Sequence, residues 1–285
     1  MTAEGDGIAA PLAVLMWFTH PVGLVKVHGS QPKGFATMEL PKNAFKAAIA
    51  RMELQRGVWC TIADTQVAEI LAGAGFDWLM FDTEHSGMDE NTIIPLLQAA
   101  AVYPVSPMVR PKSHDPAGIK KLLDAGAQTI LVPYVQTAQE ATLVAASVAY
   151  PPVGIRGVAG ATRASRYGKV TDYHKRARDE ICLIVQVETA ATLPEIEAIA
   201  AVDGVDAMFV GPADLAASMG FPGQPGHPDV RAAVIDVIRR IRAAGVPPGL
   251  MTMDPSFYDD AIAAGAVFIV KDIDTVAMLK GLSSA

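Results

Sequence analysis

Two apolar runs in this chain end in a carboxylate, "IVQVE" on Glu188 and "MFVGPAD" on Asp214. A carboxylate in an apolar environment is costly unless it is paired or coordinates a cation. If the runs are neighbouring strands, their acids share one coordination sphere. Two oxygen donors without a nearby Cys or His describe a hard site suited to Mg²⁺ or Mn²⁺, with Co²⁺ as a further option. The competing reading is an acid pair neutralised by arginines from a loop.

Other reactive side chains sit at similar positions. "WLMFDTEH" delivers Asp82, Glu84 and His85, "PMVRP" delivers Arg110, and Gln186 stands two residues before Glu188. A guanidinium there can bind a substrate oxyanion or stabilise charge forming on oxygen; it can also be a structural partner for Glu188 or Glu84. His85 is placed to move a proton, although a lone histidine is more often structural. "VFIVKDID" carries Lys271 and Asp272. A barrel lysine can form a Schiff base, but flanking acids favour a salt bridge. The loop "GIRGVAGATRASRYG" holds Arg156, Arg163 and Arg166 among glycines, a composition suited either to wrapping an anion or to a plain solvated crossover.

These residues need a frame that brings strand ends together. From Val58 onward, eight strand-like runs alternate with helical patterns: "VWCTIA", "WLMFDTEH", "PMVRP", "TILVPYV", "LIVQVE", "AMFVGP", "GLMTM" and "VFIVKDID". Most are continuous apolar runs, as expected for parallel strands covered on both faces. The helix after Pro228 shows one apolar face, Val230, Ala233, Val234, Val237, Ile238 and Ile241, and stops at Gly245. Eight such units with right-handed crossovers close into a (β/α)₈ barrel whose chemistry lies where the strands finish. An open doubly wound sheet is the alternative, and no G-x-G-x-x-G follows the first strand to support it.

The composition agrees with one compact globular domain. Of 285 residues, 51% are hydrophobic and 19% charged, enough for a large core. The net charge of −7 and the lack of a basic tract argue against a nucleic-acid partner. Cys60 and Cys182 lie inside apolar runs, so two buried free thiols and a reducing cytoplasm are expected. The apolar stretch from Ile8 to Val27 follows Glu4 and Asp6 and is broken by Pro11, His20 and Pro21, which suits neither a signal peptide nor a membrane span. Residues 1–37 are read as a disordered or non-native extension, and 38–285 as the barrel.

With "FDTEH", "VRP", "LLDAGAQTILVPYV", "YPPVGIRGV", "QVET" and "GPADLAAS" in this order, the chain resembles the HpcH/HpaI family of metal-dependent pyruvate aldolases, the 4-hydroxy-2-oxoheptanedioate aldolase type. The resemblance runs from about Leu54 to the end. It implies a single-domain α/β fold, a (β/α)₈ TIM barrel of the phosphoenolpyruvate/pyruvate type with an exchanged C-terminal helix. Glu188 and Asp214 match the ligands of a divalent ion that a 2-oxo acid chelates. Arg110 matches the residue that stabilises the enolate oxygen, and His85 the acid/base histidine. Gln186, Gly211, Pro212 and Ala213 match substrate-contacting positions, Ala213 through its backbone.

Asp124 matches a carboxylate that raises the basicity of the histidine. It ends a helix, at the bottom of its own barrel, while His85 sits at the top. Their contact therefore requires a neighbouring subunit, in agreement with the family's hexamer, a trimer of dimers. Asp82 is a within-subunit alternative. The implied reaction joins the enolate of pyruvate or hydroxypyruvate to an aldehyde, or cleaves the resulting 4-hydroxy-2-oxo acid. An acyl-CoA lyase of the citrate lyase beta type and a non-catalytic 2-oxo-acid-binding barrel are the rivals. Residues 1–50 and "IVKDID" depart from the family pattern, which leaves open a phosphate or acceptor pocket altered by Lys271 or Asp272.

Overall fold

The computed structural model describes residues 36–283. The expectation for residues 1–37 therefore lies almost wholly outside the described residues. A short helix, α1 (Ala44–Ala50), comes first. The strands are β1 (Gln55–Cys60), β2 (Trp78–Asp82), β3 (Ser106–Arg110), β4 (Thr129–Val132), β5 (Cys182–Val187), β6 (Ala207–Val210), β7 (Pro248–Met251) and β8 (Phe268–Ile273). They pair in sequence order, all parallel, and β8 returns to β1 to close a barrel. That closure removes the open-sheet alternative.

The intervening helices are α2 (Thr65–Ala72), α3 (Glu90–Ala100), α4 (Pro116–Asp124), α5 (Ala138–Val148), α6 (Tyr173–Glu180), α7 (Ile196–Ala200), α8 (Pro212–Ser218), α9 (Pro228–Ala243) and α10 (Pro255–Ala264). A last helix, α11 (Asp274–Ser283), follows β8. Several start on a side chain that accepts the first free N–H groups, such as Asp64 for α2, Asp89 for α3 and Asp254 for α10. On α9 the predicted face is buried at Val230, Val234, Val237, Ile238 and Ile241, and Gly245 takes the left-handed conformation just past its end.

Side chains alternate between two cores. Trp59, Trp78, Met80, Met108, Ile184, Phe209 and Phe268 fill the barrel interior. Leu79, Phe81, Val109, Ile130, Leu183, Val185 and Ile269 face the helices. Both faces are covered, which is why the strands read as unbroken apolar runs. Phe45 of α1 plugs the N-terminal end, with its ring edge-on to Trp78 and Phe268 at 6.3 and 5.5 Å. Gly57 makes room for that packing, since a Cβ there would sit 2.0 Å from the Trp78 ring.

Two local features redirect side chains. The β1–β8 register shifts: Gly57 pairs with Val270, but Val58 pairs with Asp272, so Lys271 is the extra residue of a bulge. The segment between α5 and α6, which contains the arginine loop, leaves the C-terminal end of a helix. It thus lies at the end of the barrel opposite the strand C-termini, where Met38 pairs with Val170.

Candidate active site

Strands β2 and β3 end side by side, with Asp82 opposite Arg110 in the ladder. Register therefore builds the first part of the site. Arg110 Nε donates to Asp82 Oδ1 at 2.9 Å and Nη2 to Oδ2 at 2.6 Å, a two-pronged pair in which both residues are buried. Nη1 reaches Glu84 Oε2 at 2.9 Å. Trp59, at the end of β1, donates its indole N–H to Asp82 Oδ2 at 3.1 Å, and its ring lies 4.7 Å from the guanidinium carbon. Two of the five guanidinium N–H groups are hydrogen-bonded to Asp82 and Nη1 is ion-paired with Glu84, which leaves donors for a ligand.

Strands β5 and β6 supply the second part. Glu188 is 2% exposed; its Oε1 accepts from the Tyr134 N–H at 2.6 Å and its Oε2 from Gln186 Nε2 at 2.5 Å. Tyr134 holds a left-handed backbone, φ 58°, to aim that amide. Gly211, just past β6, must lack a side chain: a Cβ would meet Gln186 Nε2 at 2.8 Å and Glu188 Oε2 at 3.3 Å. Asp214 follows in the first turn of α8, exposed to solvent.

The electrostatics tie the two parts together. Burial pushes the Glu188 carboxyl up; the Tyr134 N–H opposes this, Glu84 and Asp214 add to it, and Arg110 offsets part, leaving it at about 7. Burial also lifts Glu84 above the usual glutamate value, against the charge of Arg110. Asp82 is different. Burial would raise it, but the Arg110 bond and charge, with Trp59 and the Glu84 N–H, hold it below the usual aspartate value. Four carboxylates thus share this rim with one guanidinium, an excess of negative charge in a partly dry cleft.

The donor set fits a divalent cation. Glu188 keeps lone pairs beyond its two hydrogen bonds, the neighbouring acids already work against its ionised form, and the buried Gln186 Oε1 has no partner. Among the described residues no group of three or more His, Cys, Asp and Glu side chains can hold a metal. Two carboxylates leave the remaining positions to water or substrate oxygens.

Other sequence candidates are placed elsewhere. His85 stands at the mouth with 67% of its side chain exposed, its Nε2 3.9 Å from Glu84 Oε2. From His85, Asp82 accepts the backbone N–H at 3.4 Å and no bond from the imidazole, while its carboxylate grips Arg110. Asp124 lies at the far end, where Arg156 Nη2 donates to its Oδ1 at 2.6 Å. Arg163 there donates to the Ala125 carbonyl at 2.8 Å. The arginine loop therefore faces away from its own mouth, because it joins a helix end to a strand start. Lys271, next to the inward-facing Val270, points outward by alternation, and the bulge places Asp272 opposite the outward-facing Val58 instead of Trp59. The ammonium of Lys271 lies 4.9 Å from the Tyr258 ring centre, and Asp272 pairs with Lys280 at 3.1 Å. Ile273 takes the place opposite Trp59. The roles of Trp59 and Tyr134 were missed by sequence reasoning, whereas the pairing of Arg110 with Glu84 is one of the readings the sequence offered. Trp59 carried a signal as a large polar-tipped residue in the first strand.

Residues 55–279 match the family described as HpcH/HpaI aldolase/citrate lyase. The chain belongs to this family. A hydroxypyruvate/pyruvate aldolase from Sagittula stellata is 54% identical over 83% of this chain and 94% of its own length. A pyruvate aldolase from Rhizobium etli is 51% identical, covering 86% and 96%. Among solved structures, an HpcH/HpaI aldolase/citrate lyase family protein from Burkholderia cenocepacia J2315 superposes with a TM-score of 0.83 at 37% identity, covering 85% of this chain and 97% of that one. Among the described residues no helix is long and apolar enough to cross a membrane.

Proposed function

We propose that the chain is a divalent-metal-dependent carbon–carbon lyase of the aldolase type. It forms and cleaves 4-hydroxy-2-oxo acids from a pyruvate or hydroxypyruvate enolate and an aldehyde. The relatives' names support the reaction class. The observation that carries the mechanism is Glu188, buried and doubly hydrogen-bonded among further carboxylates, beside an arginine with free donors. Glu188 and Asp214 would hold the cation. A divalent ion there supplies Lewis-acid polarisation of the 2-keto group.

The side chains then have separable tasks. Arg110 directs its remaining N–H groups at the keto oxygen, where negative charge develops as the C3–C4 bond breaks and its electron pair moves toward C2–O. Asp82 and Trp59 fix that guanidinium. Gln186, Gly211, Pro212 and the Ala213 backbone border the 2-oxo acid. In cleavage, His85 accepts the proton of the C4 hydroxyl as the aldehyde departs, and C3 regains a proton to give the 2-oxo acid. Synthesis runs the same steps backward.

Asp124 assists the partner subunit's His85 in this reading, which requires an oligomer. Support comes from the separation of the two residues within one barrel and from exposed apolar side chains on α11, Met278, Leu279 and Leu282, suited to exchange in a hexamer. Two buried free thiols, Cys60 and Cys182, fit the cytoplasm. Hard oxygen donors favour Mg²⁺ or Mn²⁺, with Co²⁺ tolerated. Retro-aldol release of pyruvate from a 4-hydroxy-2-oxo acid tests the proposal. Chelator should abolish it and Mn²⁺ restore it; undiminished turnover by metal-free protein would reject it.

A further inference from the structure

Asp274 begins α11 and is 4% exposed, yet the chemistry above leaves it without a task. Its carboxylate accepts four hydrogen bonds. Three come from the loop after β1: Thr61 N at 2.7 Å, Thr61 Oγ1 at 2.7 Å and Ile62 N at 2.8 Å. The fourth is the Thr275 N–H at 2.7 Å. That loop starts one residue beyond Cys60, so the clamp closes on the chain directly past Trp59.

The geometry gives the clamp a consequence. Trp59 pairs with Ile273, the last residue of β8. The Asp274 bonds therefore extend the β1–β8 seam beyond its final backbone pair, on the side of the barrel where the bulge at Lys271 has already disturbed the ladder. Trp59 in turn donates to Asp82 and lies against Arg110. A continuous run of contacts leads from the first residue of the C-terminal helix to the guanidinium. Four donors converging on two oxygens require the full carboxylate, since an asparagine would turn its own N–H toward a backbone N–H.

We propose that Asp274 is a positioning residue for Arg110, acting through Thr61, Ile62 and Trp59; this rests on the aldolase reading above. Asp82 grips the guanidinium directly, and the Asp274 clamp at the start of α11 sets the Trp59 side of its seat.

The test is exchange of the pyruvate methyl protons for deuterium, followed by NMR with Mn²⁺ and no aldehyde, in Asp274→Asn, Trp59→Phe and the double variant. Asp274→Asn should lower the exchange rate about tenfold in the wild-type background and less than twofold in Trp59→Phe, because the route is already cut there. Mn²⁺ affinity, set on β5 and β6, should stay within twofold. Equal fold-losses in both backgrounds, an unchanged rate, or a parallel loss of Mn²⁺ affinity would each overturn the proposal. If Asp274→Asn does not fold, Thr61→Val, which deletes one of the four bonds, runs the same cycle with a smaller expected loss of about threefold. Absence of exchange in the wild-type protein would refute the aldolase reading itself, whereas exchange that survives Asp274→Asn refutes only this inference.

Discussion

Replacing Glu188 with glutamine keeps the shape of the side chain and removes its charge, and the effect on metal-free protein has a definite sign. In the folded chain the Glu188 carboxyl holds its proton up to about 7, against 4.5 for an ordinary glutamate. Below pH 4.5 both folded and unfolded chains are protonated there, and the group costs nothing. Between 4.5 and 7 unfolding releases a proton, so stability falls as pH rises. Above 7 the full cost applies, roughly 3 kcal/mol for a group this buried. Glutamine avoids that cost but loses about 1 kcal/mol, because one of its two hydrogen bonds now meets a donor. With EDTA present, Glu188→Gln should be about 2 kcal/mol more stable than wild type at pH 8 and about 1 kcal/mol less stable at pH 4.5. Urea unfolding across this range measures both, and the difference between the proteins cancels the titrating groups that do not interact with Glu188. Added Mn²⁺ should stabilise the wild type at pH 8 and leave the variant unchanged. A constant difference across pH would refute the account of Glu188.

Three further outcomes are expected. Asp82→Asn should lower kcat about 100-fold with little change in KM, since it frees the guanidinium that faces the developing charge; equal loss through KM would assign Asp82 to ground-state binding. Lys271→Ala should retain activity within about twofold, and borohydride with pyruvate should trap no adduct, because the ammonium lies over Tyr258 outside the mouth. Co-expression of His85→Ala and Asp124→Asn chains should recover activity that neither variant has alone, as hybrid oligomers form intact sites; no recovery would place Asp124 outside the reaction.

The barrel was legible because eight apolar runs covered on both faces leave a plain rhythm, and strand ends convert directly into a list of mouth residues. Glu188, Asp214 and Arg110 were readable as residues of the mouth for that reason. Asp82 was readable as a site residue but not as the anchor of Arg110, because the choice between Arg110 and His85 depends on strand register, which aligns Asp82 with Arg110. The direction of Asp272 was not legible because a one-residue bulge moves it from the position opposite Trp59 to that opposite Val58, and polarity alone does not mark it. The arginine loop looked like a substrate clamp by composition, yet chain topology sends a helix-to-strand connection to the other end.

A protein crystal soaked in Mn²⁺ and pyruvate, measured at a wavelength sensitive to manganese, addresses the central claim most directly. One anomalous peak is predicted between a Glu188 oxygen and an Asp214 oxygen, with the pyruvate carboxylate and keto oxygens completing the same shell and Arg110 directed at the keto oxygen. Pyruvate bound at the mouth with no manganese peak between those carboxylates would contradict it.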